Sequence, residues 1–184
     1  MKELILIAGV NGTGKSSFRG VLEGQGVALG HIVDPDVISK VNNYNELAAG
    51  RQAVKEIEAY INNDESLTQE TTLSGHRVKK TVMKAKSKGY RITMYYIGLN
   101  TKSESIYRIA NRVKKGGHNI APEDVERRFN KRFESLDRIV PFCDKVVFYD
   151  NENGFVKVAE INNGEFEFTN GYRPDWIVEY RERN

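Results

Sequence analysis

The sequence has little cysteine, little net charge and no long apolar run, and each shortage excludes a class of protein. Cys143 is the only cysteine, so no internal disulfide can form, and its apolar neighbours favour a small buried thiol over a catalytic one. The 28 basic and 25 acidic residues leave a net charge of +3, too small to predict a surface built for polyanions. Nucleic acid is therefore not an expected partner.

The apolar run nearest the N-terminus, at 4–9, is too short for the core of a signal peptide and far too short to span a bilayer. We therefore expect a cytoplasmic protein that makes no contact with a membrane. The 184 residues are enough for one domain with its own core, and they contain no internal repeat or low-complexity stretch. These features predict a single domain over 1–184.

Strand-like apolar runs alternate with helical patterns, which is typical of an α/β domain with a mainly parallel sheet. Five strands are predicted, at 4–8, 32–33, 67–70, 91–98 and 145–149. A C-terminal β-hairpin is predicted over about 155–169, because an Asn-Gly pair separates two strand-like segments there.

Between the strands, apolar residues recur at the spacing of a helix face. The predicted faces are Leu47, Val54, Ile57 and Ile61; Val78, Val82 and Ala85; and Ile106, Ile109 and Val113. The longest predicted helix runs over 122–139, because a proline stands at its start and acidic residues fill its first turn. Its predicted core face is Val125, Phe129, Phe133 and Leu136.

The segment 9–16 fits the pattern G-x-x-x-x-G-K-[ST] at every fixed position, between a predicted strand and a predicted helix. Glycines leave the backbone amides open to phosphates, and the start of a helix adds partial positive charge. Lys15 is expected to reach the β and γ phosphates, and the Ser16 hydroxyl to hold Mg²⁺. The sequence predicts a site for ATP or GTP formed by Gly9, Asn11, Gly12, Thr13, Gly14, Lys15, Ser16 and Ser17.

The second predicted strand ends in Asp34-Pro35-Asp36. Because the carboxyl ends of parallel strands line the ligand crevice, both carboxylates are expected near the γ-phosphate. One of them could accept a proton from an attacking hydroxyl. The spacing equally fits Asp36 as the N-cap of a short helix, and the residues alone leave both readings open.

The third predicted strand ends at Glu70, which begins the segment Glu70-Thr71-Thr72-Leu73-Ser74-Gly75. A carboxylate at this strand end could hold Mg²⁺ through water or contact a substrate hydroxyl. The alternative is a solvated acid that caps the helix after Ser74.

A cation-rich region surrounds the Gly116-Gly117 pair, and it could form a lid over phosphates at about 112–132. Arginines brought onto a transferring phosphoryl group would stabilise its charge. The alternative is a solvated face, since acidic residues are interspersed with the later cations. The candidate lid residues are Arg108, Arg112, His118, Arg128 and Arg132.

Taken together, the segment 9–16, Asp34-Pro35-Asp36, the segment 70–75 and the stretch from Arg112 to Ile120 resemble the zeta toxin family. The resemblance is greatest to its compact stand-alone branch, often labelled predicted ABC-type ATPases, and spans about 4–150. It implies a P-loop NTPase fold of the kinase-like kind, a three-layer sandwich with a mainly parallel five-stranded sheet. It also implies a kinase that phosphorylates the 3′-hydroxyl of the sugar in UDP-N-acetylglucosamine.

The resemblance also implies roles for single residues. Asp36 matches the general base of the family, and Arg112 is the best match to the arginines that bind the transferring phosphate. Arg128 and Arg132 are further matches in the lid region. With Asp36, the predicted acceptor contacts are Glu70 and Thr71, and the predicted metal ligands are Ser16 and Glu70.

Two departures from the family pattern weaken parts of this prediction. Zeta toxins that pair with a helical antitoxin have extra helical sequence before the P-loop, whereas this chain reaches Gly9 almost at once, which argues against an antitoxin partner. A substrate-contacting glutamate of the family has no clear match, with Glu56 and Glu58 both nearby. Two rival functions remain, a nucleotide-driven switch or ATPase without an acceptor and a kinase for nucleic acid ends.

Overall fold

The computed structural model describes residues 1–41, 45–116 and 120–183. The strands are β1 Glu3–Ala8, β2 His31–Val33, β3 Leu67–Thr71, β4 Arg91–Gly98, β5 Lys145–Asp150, β6 Val156–Asn162 and β7 Glu165–Phe168. The helices are α1 Lys15–Gly24, α2 Pro35–Val41, α3 Glu46–Asn62, α4 Arg77–Ser87, α5 Lys102–Lys114, α6 Pro122–Asn130, α7 Arg132–Asp137 and α8 Asp175–Arg183.

The strands form one sheet in the order β2-β3-β1-β4-β5-β6-β7. The pairings among the first five strands are all parallel, and β6 and β7 add antiparallel to β5. The sheet is thus seven-stranded rather than five-stranded, because the predicted hairpin pairs with the edge of β5 instead of standing apart. Its turn is the predicted one, with positive φ at Asn163 (51°) and Gly164 (86°).

Helices cover both faces of the sheet, so β1 is apolar on both sides, as a central parallel strand requires. Leu4 and Leu6 face a large cluster formed with α3, α4, α7 and α8. Ile5 and Ile7 face a smaller cluster whose α1 members are Phe18 and Leu22. This three-layer α/β arrangement confirms the predicted fold class.

The predicted face of α3 is partly wrong. Ala49, Ala53, Ile57 and Ile61 are buried, but Leu47 is 62% exposed. The true face repeats every four residues, and Leu47 lies beside that stripe near the start of the helix. The N-terminal half of α3 therefore packs on the core through Ala49 and Ala53, not through Leu47 as predicted. The predicted face of α4 is confirmed, since Val78, Val82 and Ala85 are all buried.

The long helix predicted over 122–139 is two helices, α6 and α7, followed by a 3₁₀ turn at Val140–Phe142. The break falls at Lys131, where φ is −96° and ψ is 10°. This backbone lies close to the helical region, so the helical period continues across the break. The predicted core face is therefore correct although the helix is interrupted: Val125, Phe129, Phe133 and Leu136 are all buried.

The Cys143 thiol is partly buried against the core of the protein. Burial raises the pKa of the Cys143 thiol to about 12, which makes it a poor nucleophile. The thiol packs against the larger cluster and donates to the carbonyl of Ile139. In the part of the chain that the structure describes, no helix has the length and apolar character needed to cross a membrane.

Candidate active site

The loop 9–16 joins β1 to α1, the strand–loop–helix setting that phosphate binding requires. Gly9, Gly12 and Gly14 all have positive φ. A Cβ at Gly9 would lie 2.4 Å from the carbonyl oxygen of Ile97, and one at Gly12 would lie 2.7 Å from that of Ser105. Both glycines are therefore required by close backbone contact as well as by their φ angles.

Long-range hydrogen bonds hold this loop in shape. Ser105 of α5 is buried and donates its hydroxyl to the carbonyl of Asn11 over 2.6 Å. Asn151, directly after β5, donates its side-chain amide to the carbonyl of Thr13 over 2.9 Å. In α5 this inward-facing Ser105 replaces the predicted Ile106, which is 38% exposed. These bonds tie the loop to α5 and to the segment after β5.

Lys15 bends back over the loop. Its Nζ donates to the carbonyls of Gly9 at 3.0 Å and Val10 at 3.1 Å. Desolvation lowers the pKa of Lys15, while the carboxylates of Glu70 and Asp36 oppose that shift. A phosphate next to the lysine would stabilise its charged form in the same way, so the ammonium is placed to exchange carbonyl partners for phosphate oxygens.

A pocket of about 190 Å³ lies over the loop. Its floor is made of Asn11, Gly12, Gly14, Lys15, Ser16 and Ser17. The two carboxylates Asp36 and Glu70 line one part of its wall, and Arg108 and Arg112 of α5 line another. Most of the polar residues predicted from separate motifs therefore meet around one hollow, which we call the P-loop pocket.

Glu70 lies in this pocket, well before α4 begins, so it does not cap that helix. Ser16 donates its hydroxyl to Glu70 Oε2 over 2.9 Å. Arg19 of α1 lies 3.3 Å from Glu70 Oε1 and 3.7 Å from Asp34 Oδ2. Burial raises the pKa of Glu70, followed by repulsion from Asp34, while the Ser16 hydrogen bond and Arg19 counteract the shift.

Sequence reasoning missed Arg19. A signal was present, because Arg19 follows Lys15 by four residues and therefore projects from the same face of the first helix. The pattern does not predict that Arg19 pairs with Asp34 and Glu70, because these two residues lie at the ends of two other strands.

The two aspartates after β2 have different surroundings. Asp34 Oδ1 accepts from the backbone N–H of Asp36 at 2.9 Å and of Val37 at 3.4 Å, so Asp34 caps α2. The alternative that assigned the cap to Asp36 is therefore wrong. Asp36 turns its carboxylate toward the P-loop pocket, with Oδ2 3.6 Å from Nη1 of Arg112.

A second pocket of about 380 Å³ shares Asn11 and Asp36 with the first. We call it the side pocket. Residues of α2, α3 and α6 enclose it, including Ser39, Gly50 and Arg128. The Ser39 hydroxyl is buried and has no hydrogen-bond partner among the described residues, so it is available to a ligand. Asp36 thus stands between two hollows, each large enough for part of a small molecule.

The candidate lid arginines have separate positions. Arg112 faces Asp36, as described above. Arg108 pairs with Glu104 and donates to the carbonyls of Asn151 at 2.6 Å and Glu152 at 3.0 Å, so it spans from α5 to the segment after β5. Arg128 donates from Nη1 to Asn11 Oδ1 over 2.9 Å, which ties α6 to the P-loop.

Arg132 and Thr71 are not brought into either pocket. Arg132 pairs with Glu179 of α8 at 2.9 Å and lies over the rings of Phe129 and Phe133, so it joins α7 to α6 and α8. Thr71 accepts from the backbone N–H of Leu73 with its hydroxyl. His118, the remaining lid candidate, lies outside the described residues.

The arrangement of motifs matches a known family. A family model described as Zeta toxin matches residues 1–162. The chain belongs to the zeta toxin family. An uncharacterized protein of Haemophilus influenzae is 33% identical to this chain over 130 residues. The match covers 68% of this chain and 91% of that protein.

Solved structures agree with the family at the level of fold. One chain of the AvrRxo1-ORF1:-ORF2 complex with ATP superposes with a TM-score of 0.69 at 17% identity and covers 100% of this chain. The chain described here spans only 63% of the length of that AvrRxo1 chain. The PezAT toxin–antitoxin system of Streptococcus pneumoniae gives a TM-score of 0.66 at 16% identity, over 100% of this chain and 84% of that one. Both support a P-loop kinase-like fold.

Proposed function

We propose that this chain is a Mg²⁺-dependent cytoplasmic kinase that transfers the γ-phosphate of ATP or GTP to a hydroxyl group of a sugar nucleotide such as UDP-N-acetylglucosamine. The observation that carries the proposal is the position of Asp36, at the boundary between the P-loop pocket and the side pocket. A phosphoryl donor over the loop and an acceptor in the side pocket would meet at this carboxylate.

The P-loop pocket supports the donor half of the reaction. Amides at the start of α1 favour phosphate oxygens, and Lys15 adds a mobile positive charge. Arg108 and Arg112 line the opposite wall, where they would contact the phosphoryl group in transfer. Phosphoryl transfer depends mostly on such positioning and charge stabilisation, since the transition state spreads negative charge over the transferred oxygens.

Ser16 and Glu70 fit a magnesium ion. Both offer oxygen atoms, the ligands that Mg²⁺ prefers, and these oxygens already lie 2.9 Å apart. Among the described residues, no group of three or more His, Cys, Asp or Glu could hold a metal. That agrees with Mg²⁺ bound by one or two protein oxygens together with substrate phosphates and water. The ion would neutralise phosphate charge when bound.

The side pocket supports the acceptor half. Asp36 would accept the proton of the acceptor hydroxyl as its oxygen bonds to the γ-phosphorus and the bond from phosphorus to the β,γ-bridging oxygen breaks, leaving the nucleoside diphosphate. Arg112, 3.6 Å from Asp36, orients the carboxylate before transfer. The Asp34 carboxylate is engaged in the cap of α2, so Asp36 is the aspartate available for this role.

A third hollow of about 390 Å³ adjoins the side pocket through Arg128 and supports an acceptor that contains phosphate. Four cations and one carboxylate line it, together with the hydroxyls of Thr72 and Ser74. The cations are Arg127, Arg128, Lys131 and Arg138. Arg127 also pairs with Asp124, but the lining keeps a net positive charge, with which the diphosphate of a sugar nucleotide would pair.

Transfer of labelled γ-phosphate from ATP to UDP-N-acetylglucosamine tests the proposal directly. Lys15→Ala and Asp36→Asn are expected to lower transfer by at least about 10²-fold. Asp64→Asn, at an exposed aspartate that lines neither pocket, serves as the matched control. A panel of other sugars, nucleosides and oligonucleotides runs in parallel. Label on another acceptor would keep the kinase and replace the substrate.

Hydrolysis of ATP at a rate that no acceptor changes would instead support a nucleotide-driven switch.

The PezAT comparison also keeps an antitoxin-type protein among the proposed partners. If such a protein inhibits this chain, its addition to the same assay should lower the amount of label transferred.

A further inference from the structure

A groove runs between α3 and α4 on the outer side of these helices, with a volume of about 520 Å³. We call it the α3–α4 groove. It shares no residue with the P-loop pocket or with the side pocket. Its apolar surface comes from half-buried Val54 and from the aliphatic stems of the surrounding Arg and Lys side chains, because Ile57 and Ile61 are only 4% and 0% exposed.

The rim of the groove has an uncompensated positive charge. Arg51 and Lys55 come from α3, and Arg77, Lys80 and Lys84 come from α4. Glu58 is the one acidic residue among those that line it. In the part of the chain that the structure describes, none of these five cations forms an ion pair. Five positive charges around apolar surface therefore face solvent without partners, at a cost in mutual repulsion.

The residues repeat with helical spacing on both sides. On α4 the positions are 77, 80, 81 and 84, and on α3 they run from 51 to 61. Each helix thus presents one continuous stripe, and the longer stripe extends for roughly 15 Å at 1.5 Å per residue. That is the length of a helix of about ten residues. An apolar surface between two helical walls is the form that accepts the apolar face of an amphipathic helix.

The charge decides the chemistry of the occupant. We propose that the α3–α4 groove binds an acidic amphipathic helix of a partner protein, with its apolar face on Val54 and the aliphatic stems of the rim side chains and its carboxylates on the basic rim. A nucleic acid would use the cations but has no use for the apolar surface, so that surface favours a peptide. The proposal does not depend on the proposed kinase activity, because docking is measured without turnover.

The position of the groove suggests a consequence for the site. Gly50 lines the side pocket and the next residue, Arg51, lines the groove. Arg77 Nη1 lies 3.7 Å from the position that a Cβ on Gly50 would occupy. A helix bound in the groove therefore contacts α3 within one residue of the wall of the side pocket.

Fluorescence anisotropy of the full chain with a labelled synthetic helix tests the proposal. The probe is a peptide of about 14 residues, long enough for the groove at 1.5 Å per residue, with leucine on one face and glutamate elsewhere. One control peptide has the same composition in an order without an apolar face, a second has lysine in place of glutamate, and a short single-stranded RNA represents nucleic acid.

Two double variants with equal change in charge separate the groove from general electrostatics. Lys80→Glu with Lys84→Glu reverses the rim, whereas Lys79→Glu with Lys86→Glu reverses two lysines of α4 outside the groove. We expect the rim variant to bind the acidic helix at least about tenfold more weakly, and the control variant to stay within about threefold of the unaltered chain. Thermal unfolding confirms that both variants are folded.

The outcomes are decisive in either direction. Binding of the acidic helix, with loss on rim reversal and on scrambling of the apolar face, supports the proposal. It is overturned if the acidic helix does not bind, if both double variants weaken binding equally, or if RNA binds more tightly than the helix.

Discussion

At the scale of single residues, the two aspartates after β2 show how backbone hydrogen bonds distinguish two identical side chains. Asp34 accepts from two backbone N–H groups at the start of α2, and this leaves the Asp36 carboxylate, 54% exposed, directed at both pockets. The same residue type at the same strand end therefore has a structural role at Asp34 and a proposed chemical role at Asp36.

Replacement of Asp36 by asparagine separates chemistry from binding. The variant keeps the shape of the side chain but cannot accept a proton, so we expect kcat for transfer to fall about 10²–10⁴-fold with nucleotide affinity retained. Nucleotide titration and initial-rate kinetics check this. Asp34→Ala is a useful comparison, because loss of the cap is expected to cost stability rather than chemistry. Unchanged turnover in Asp36→Asn would remove Asp36 from the mechanism.

The buried carboxylate of Glu70 predicts a dependence of stability on pH. Its pKa in the folded chain lies above the ordinary value of 4.5, so the ionised form opposes folding once the pH exceeds that value. We expect Glu70→Gln to equal the unaltered chain in stability below the ordinary pKa and to exceed it at neutral pH. Thermal unfolding across pH measures the difference.

Glu23→Gln, at an exposed glutamate of α1, is the control. A Glu70→Gln variant that is less stable at neutral pH would mean that the pairings with Ser16 and Arg19 outweigh burial. Loss of transfer in the more stable variant would fit a functional carboxylate whose burial costs stability.

At the scale of elements, close contacts fix where helices lie on the sheet. Trp176 of α8 is 2% exposed and donates its Nε1 to Asp150 at the end of β5. A Cβ on Gly98 would lie 2.3 Å from its ring. The absence of a side chain at the end of β4 thus allows α8 to cover this part of the sheet.

Replacement of Gly98 by alanine is expected to destabilise the chain by about 1–3 kcal/mol, because a methyl group would overlap a fully buried ring. Gly20→Ala is the matched control, since Gly20 lies inside α1 with no heavy atom within 4 Å of a Cβ. The control is expected to stabilise by up to about 1 kcal/mol through helix propensity. Denaturant unfolding gives both values, and equal effects of the two substitutions would contradict the role assigned to Gly98.

At the scale of the whole molecule, the proposed nucleotide site joins elements that are far apart in the sequence. The P-loop is held by Ser105, Arg128 and Asn151, which lie on α5, on α6 and after β5. A nucleotide that occupies the P-loop pocket would stabilise the folded chain as a unit.

We therefore expect ATP with Mg²⁺, at about 100 times its dissociation constant, to add about 2.7 kcal/mol to the free energy of unfolding. The midpoint of thermal unfolding should rise by several degrees. Lys15→Ala should lose most of the rise, whereas Lys55→Ala, at an exposed lysine of the α3–α4 groove, should keep it. A rise of equal size in both variants would mean that ATP binds elsewhere.

The sequence by itself determined the features that depend on neighbouring residues. The P-loop is recognisable because its glycines, lysine and serine act within eight positions, and the five parallel strands because each is a short apolar run. The hairpin turn follows from an Asn-Gly pair that accepts positive φ. These elements, with the family resemblance, were enough to predict the fold class.

Tertiary structure alone decided the features that depend on distant residues. It joined the hairpin to the sheet, gave the α2 cap to Asp34, and directed Arg128 toward Asn11, 117 residues away, while Arg132 turned to Glu179. Arginines one turn apart on successive helices are equivalent in a sequence pattern. Their partners differ because the fold determines which acid or carbonyl lies within reach, and no local spacing contains that distance.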